Sequence, residues 1–201
     1  MKKGFTLIEM LIVLFLLMTI LSLTLIVIKP FSYFQRSRDL KRMSDLKALE
    51  IAINTYLNVT STPILGPNLR GVGEASSSVF ISVPYEKEDF RNTLVSGFYV
   101  YQVSTSSLNK IDGSGWLPIN FSVLIYPPLS SLPVDPINYY SKKYFYSYVF
   151  KRASSTYEIN ANLESAIFKN GGSNDKTSTD GGNNPNIFEV GNDKNLMTNV
   201  Y

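Results

Sequence analysis

From Phe5 to Ile28 the sequence carries one charge, Glu9, in a run whose other polar members are Thr6, Thr19, Ser22 and Thr24. As a helix rising about 1.5 Å per residue, this run is roughly 36 Å long, enough to cross a hydrocarbon core of about 30 Å. That length constrains everything after it, because the rest of the chain hangs from a segment suited to lipid or to the company of other apolar helices. The acid is the anomaly. A carboxylate at bilayer depth costs about 2.5–3.5 kcal/mol on insertion scales, so Glu9 needs a partner or a purpose.

Met1-Lys2-Lys3 ahead of an apolar run also suits a secretory signal or a signal anchor. A cleaved signal has an apolar region of about 7–15 residues followed by small residues at the cut. Here the run is longer and no Ala-x-Ala follows it. A signal anchor accounts for the lysines and leaves Glu9 without a reason.

Lys3-Gly4-Phe5-Thr6-Leu7-Ile8-Glu9 resembles the processing motif of type IV pilins and pseudopilins, a short basic leader ending in Gly, then Phe, then Thr-Leu-Ile-Glu opening the hydrophobic helix. The resemblance implies that a membrane-embedded prepilin peptidase cuts after Gly4 and that Phe5 becomes an N-methylated N-terminus. It further implies that Glu9 meets the N-terminal amine of a neighbouring subunit as helices pack into a filament. Electrostatics agrees, since a charge costly in lipid is tolerated when an opposite charge shares its low-dielectric place. The implied partners are copies of the chain and other pilins, the peptidase, an inner-membrane assembly platform, and lipid before assembly. The implied location is the inner membrane, crossed once with the N-terminus cytoplasmic and the head outside, and then an extracellular or periplasmic filament.

Beyond Lys29-Pro30, Leu40, Met43, Leu46, Leu49, Ile53 and Tyr56 or Leu57 recur at spacings of three and four, the period of an amphipathic helix. Pro30 removes one backbone hydrogen bond and bends a helix without having to end it. The expectation is a leader at 1–4 and one long, bent helix, apolar on all faces over 5–29 and on one face over 30–57. Arg38, Lys41, Arg42 and Lys47 interleave with Asp39, Asp45 and Glu50 at spacings that allow i,i+3 and i,i+4 pairs. The basic cluster from Arg36 to Lys47 therefore reads as a solvated helix face and not as a nucleic-acid or lipid-headgroup patch.

Residues 58–201 form the head. "NVTSTPILGPNLRGVGEASSS" is loop chemistry, and "VFISVPYE" and "SGFYVYQVST" suit short strands. Pro133 and Pro136 bracket Asp135 in a turn, after which "YFYSYVF" and "STYEINANLES" read as two strands joined through 151–155. In the second strand Tyr157, Ile159, Ala161 and Leu163 share one face, and Glu158, Asn160, Asn162 and Glu164 the other. That alternation predicts a half-buried antiparallel hairpin. The helix stripe and the apolar sheet face would bury one another, giving an α+β fold in which a long N-terminal helix packs on a small antiparallel sheet. Leu132-Pro133-Val134-Asp135-Pro136 ahead of an aromatic strand pair resembles the major pseudopilin of type II secretion, whose globular part has this architecture.

In the Gly/Asn-rich tail, Asp175, Asp180, Asn183, Glu189 and Asp193 place oxygens on turns, the ligands a hard cation prefers. Major pseudopilins hold calcium in a comparable C-terminal loop, so the resemblance implies calcium here.

The chain has neither cysteine nor histidine. Disulfides, thiolate and His-based catalysis, and Cys- or His-ligated metals are thereby excluded. Of a formal net charge of +3, Lys2 and Lys3 supply two, leaving a nearly neutral remainder with no nucleic-acid footprint. These readings predict a structural subunit of a type IV pilus or of a type II secretion-like pseudopilus, not an enzyme. The rival is a signal-anchored extracytoplasmic domain that binds carbohydrate or presents an adhesive surface.

Overall fold

A computed structural model of the chain describes residues 4–28, 30–67, 78–95 and 97–197. The leader residues 1–3, the bend expected at the Lys29-Pro30 step and the centre of the Gly/Ser-rich loop lie outside the described residues. Helix α1 covers Leu7–Ile28 and α2 covers Pro30–Val59, two stretches of one long helical run on either side of residue 29. In α1 the hydroxyls of Thr19, Ser22 and Thr24 donate back to the carbonyls of Leu16, Met18 and Ile20, each at 2.8 Å. Their polarity is thus spent inside the helix, as a segment without water around it requires. The large apolar side chains along α1, from Leu7 to Ile26, are exposed all round.

Helix α2 meets the sheet through Leu46, Leu49, Ala52, Ile53 and Tyr56, all buried. Leu40, expected in the same stripe, is exposed on the other side of the helix. The reason is angular. Leu40 is six residues from Leu46, which at about 100° per residue turns it roughly 120° away.

The sheet contains β1 (Ser78–Ile81), β2 (Leu94–Val95), β3 (Phe98–Tyr101), β4 (Tyr146–Lys151), β5 (Thr156–Ala161) and β6 (Phe188–Gly191). Their order is β2-β3-β1-β4-β5-β6, with β1 and β3 parallel and the other neighbours antiparallel. The expected hairpin is β4–β5, in register from Tyr146 opposite Ala161 to Lys151 opposite Thr156. On the helix side, Tyr146, Tyr148, Phe150, Tyr157, Ile159 and Ala161 join the α2 residues in one core. Tyrosine suits this layer because its ring is apolar and its tip needs a partner. Tyr146 Oη donates to Asp45 and Tyr157 Oη to Asn54 of α2, both at 2.9 Å.

The opposite face of the sheet corrects an expectation. Glu158 and Asn160, read as solvent-facing, are buried. The chain after β6 crosses this face, and Leu196 and Met197 donate their N–H groups to Glu158 Oε2 at 2.8 and 2.9 Å. Met197 then packs with Val79, Ile81, Val100 and Val149 in a second core. The sheet is therefore covered on both sides. Gly191 makes this crossing possible, because with φ at 145° it lies so close to the Tyr157 carbonyl that any side chain would collide with it.

Candidate assembly site and the helix–head junction

At the N-terminus, Gly4 and Phe5 lie before the first turn of α1 and are exposed. Glu9 sits in that first turn. Among the described residues its Oε2 accepts from Thr6 N at 2.7 Å and from Thr6 Oγ1 at 2.8 Å. Glu9 N–H in turn reaches Thr6 Oγ1 at 3.4 Å. This is a reciprocal cap in which a Thr and the acid three residues on satisfy the donors that a helix start leaves open. Thr6-Leu7-Ile8-Glu9 carries the Thr-x-x-Glu signal for such a cap. The acid thus has a local role in the single chain, and both of its bonds to Thr6 fall on one oxygen. Oε1 is left to a second donor.

The second centre lies where α2 meets the head, and it overturns the reading of the Arg36–Lys47 stretch as a solvated face. Asp39 and Arg42 are wholly buried. Arg42 grips Asp135 with a two-pronged contact, Nε to Oδ2 at 2.5 Å and Nη2 to Oδ1 at 3.0 Å. Its Nη1 donates to Asp39 at 2.8 Å and to Glu164 at 2.5 Å, and the Tyr144 ring lies 4.9 Å from its guanidinium carbon. Arg38 makes a second fork to Glu164 at 2.7 and 2.5 Å. Asp39 also accepts from the backbone N–H groups of Glu164 and Ser165 at 2.8 and 2.6 Å.

The Pro133–Pro136 turn positions Asp135, whose Oδ1 also accepts from Ile137 and Asn138 N–H at 2.8 and 3.2 Å. The segment after β5 supplies Glu164. Burial pushes Glu164 upward, but the fork from Arg38 and the single bond from Arg42 outweigh that and hold it below the usual carboxylate range. Burial likewise acts against the Arg42 charge, and Asp135 and Glu164 more than offset it, leaving Arg42 above its ordinary value. Only the pairs Lys41–Asp45, at 3.1 Å, and Lys47–Glu50, at 2.5 Å, follow the expected surface pattern.

The five residues expected to hold calcium do not converge. Asp175 is spent on its own turn, accepting from Gly171, Thr177 and Ser178 N–H at 2.8, 3.0 and 3.0 Å. Asp193 caps Asn195 N–H at 3.2 Å, and Asn183 is exposed. Asp180 and Glu189 do adjoin, since Asp180 Oδ2 accepts from Glu189 N at 2.7 Å. The second acid beside Glu189 is Glu158, on the strand face expected to meet solvent. Among the described residues no three acidic groups form a metal-holding set. Burial, with Glu158 and Asp180 close by, pushes the Glu189 carboxyl well up, and burial also raises Glu158. The pair behaves as two acids sharing a dry corner that holds a proton. Among the described residues the five do not fit the expected cation.

On the face of α2 away from the sheet, Tyr33, Ser37, Leu40, Ser44, Ala48, Ile51, Thr55 and Val59 follow one another at three and four residues. None is charged, and Tyr33, Leu40, Ile51 and Val59 are exposed. A half-apolar seam of this spacing is what a helix presents to another helix.

Residues 1–25 match the family model of the prokaryotic N-terminal methylation motif. No curated protein and no solved structure matches the chain.

Proposed function

We infer, from the prepilin signature of type IV pilins and pseudopilins that this chain carries at residues 1–25, that it is made as a precursor, cut after Gly4, methylated on the Phe5 amine and built into a filament. The observation that carries this reading is that match, lying over a helix whose apolar side chains are exposed on every face. Such a helix is stable in lipid, where the precursor waits, or among copies of itself, where the uncharged seam of α2 extends the packing surface. The family is structural and not enzymatic, and turnover forms no part of the role.

In this reading Glu9 has two tasks. Oε2 holds the start of its own helix, while Oε1 receives the N-terminal ammonium of a neighbour. A subunit one step out of register leaves both charges unpaired in a low-dielectric core, which fixes the stagger of the polymer.

Two measurements test this. Intact mass of the mature protein should show loss of Met1 to Gly4 and one added methyl, and an unprocessed N-terminus would return the chain to the signal-anchored class. Glu9→Ala removes cap and charge together, so it should abolish filament incorporation while processing persists. Glu9→Gln separates the tasks, because an amide oxygen still accepts from Thr6 but carries no charge. It should fail in assembly nearly as badly as Glu9→Ala. Normal filaments from Glu9→Gln would leave only the capping role.

A further inference from the structure

The first turns of α2 carry three rings that the head leaves exposed. Phe31, Tyr33 and Phe34 are 68%, 59% and 64% exposed. Phe31 follows Ile28, the last residue of α1, by three residues, a reach of about 10 Å at most, and Phe34 lies about 5 Å further along α2. Beside the rings is a cation without a counter-charge. Arg36 sets its guanidinium carbon 5.3 Å from the centre of the Tyr33 ring and makes no ion pair among the described residues. The basic residues after it are spent, Arg38 and Arg42 on Glu164, Lys41 on Asp45 and Lys47 on Glu50.

Outward from α1 the chemistry changes in order. The helix itself is apolar on every face, the rings follow, one of them with a hydroxyl tip, then comes the unpaired Arg36, and only from Arg38 onward do the charges pair with the head. Hydrocarbon, headgroups and water succeed one another in the same order across half a bilayer. Aromatic side chains collect at the headgroup level, and a guanidinium there can grip phosphate oxygens with two prongs. The 22 residues of α1 rise about 33 Å and fill a hydrocarbon core of about 30 Å, beyond which the headgroup layer is about 5–8 Å deep on each side. Helical side chains lean toward the N-terminus of their helix, so the rings of α2 lean back into that layer. A neighbouring helix would cover the rings and leave the Arg36 charge unanswered, whereas lipid headgroups take both.

We propose that the segment Phe31–Arg36 is an interfacial anchor that docks on a phospholipid bilayer, its rings among the headgroups and its guanidinium on their phosphates, at the end of the spanning helix that bears the head. The proposal rests on the lipid-held precursor of the filament reading and adds to it what fixes the depth of the chain, since interfacial aromatic and basic side chains set how a spanning helix sits. With the anchor seated, the Arg42 cluster begins just outside the headgroups and the head stands on the membrane surface. Entry into a filament must withdraw three rings and one charge from the interface. The anchor therefore retains each precursor until assembly replaces those contacts.

The chain has no cysteine, so single engineered cysteines carry nitroxide labels without background. Ser37 and Ser44 are exposed on one face of α2, two turns and about 10 Å apart. In the uncut full-length chain, held sparsely in phosphatidylcholine–phosphatidylglycerol vesicles, a water-soluble nickel chelate should collide severalfold less often with a label at Ser37→Cys than with one at Ser44→Cys. Phe31→Ser, Tyr33→Ser and Phe34→Ser together should raise the Ser37 value to that of Ser44, and Arg36→Glu should raise it more than Lys47→Glu does. A label at Leu17→Cys should collide with dissolved oxygen and not with the chelate. If the Leu17 label meets the chelate, the lipid-held precursor fails and the anchor with it. If Leu17 lies in hydrocarbon while Ser37 is as open as Ser44, or if the triple Ser variant leaves the Ser37 value unchanged, the anchor alone is overturned. Protection of Ser37 that appears only at high protein density would assign the rings to a second copy and overturn lipid as their cover. Equal effects of Arg36→Glu and Lys47→Glu would overturn the phosphate contact.

Discussion

Replacing Arg42 with Met is expected to unfold the head or bring it close to unfolding. The substitution leaves Asp39, Asp135 and Glu164 facing one another, with Asp39 and Asp135 deprived of their only ion-pair partner among the described residues. Removing one member of a buried ionic set costs about 3–5 kcal/mol, against a total stability of about 5–15 kcal/mol for an ordinary domain. Arg42→Lys is the informative companion. It keeps the charge and loses the two-pronged grip on Asp135, so a cost of about 1–3 kcal/mol is expected. Urea denaturation of the detergent-solubilised chain, followed by tryptophan fluorescence, reads both variants. The signal is local, because Trp116 is the sole tryptophan and its Nε1 donates to the Pro133 carbonyl at 2.9 Å, two residues from Asp135. If Arg42→Met keeps the wild-type midpoint, the cluster does not hold the head to the helix.

Replacing Glu189 with Gln should do the opposite. In the fold the Glu189 carboxyl keeps its proton up to about pH 8, driven by burial and by the neighbouring Glu158 and Asp180. In the unfolded chain it ionises in the ordinary glutamate range. A folded value raised above the unfolded one means that the native state binds the extra proton, so stability falls as pH rises through the interval between them. Gln has the shape of the protonated acid and no proton to lose.

The variant should therefore match wild type near pH 4 and exceed it progressively up to about pH 8. The expected gain there is of order 1–3 kcal/mol, less than the full shift suggests because Glu158 shares the charge. A scan of melting temperature against pH would show the two curves diverging upward by several degrees. Destabilisation by Glu189→Gln, together with a chelator-sensitive melting temperature in wild type, would instead mean that the corner binds a cation.

The N-terminal motif, the helical run and the β4–β5 hairpin were legible in the sequence because each is a local pattern. A period of three and four, an alternation of two, or seven consecutive residues can be read without knowing what lies across the fold. The buried charge cluster was not read, although part of its signal was present. Arg42 stands four residues before Leu46 and seven before Leu49, and Asp39 seven before Leu46. Both charges therefore fall on the apolar stripe, where a solvated pair has no place. What could not be read locally was their complement, since Asp135 and Glu164 are 93 and 122 residues from Arg42. The Asp135 turn was visible as a turn and silent about its partner.

The burial of Glu158 and Asn160 was missed for a similar reason. Alternation separates the two faces of a strand but does not say whether a later segment will cross the polar one. That segment, which includes Leu196 and Met197, follows a Gly/Asn-rich stretch that reads as turns. The motif pattern offered Gly4, Phe5 and Glu9 for the proposed processing and assembly roles because all three fall within one seven-residue run.

The Arg42 cluster also has a mechanical consequence. In the proposed filament, a pull applied to the head would reach the polymer through α2, and the ionic cluster lies across that load path. Sliding the head along α2 must separate Asp135 and Glu164 from Arg42 together, because both grip one guanidinium from different segments. An apolar contact can slip by small steps and re-form, whereas a desolvated ionic knot resists until it breaks as a whole. The junction is thus built to yield abruptly at a threshold force, carrying smaller loads with little displacement.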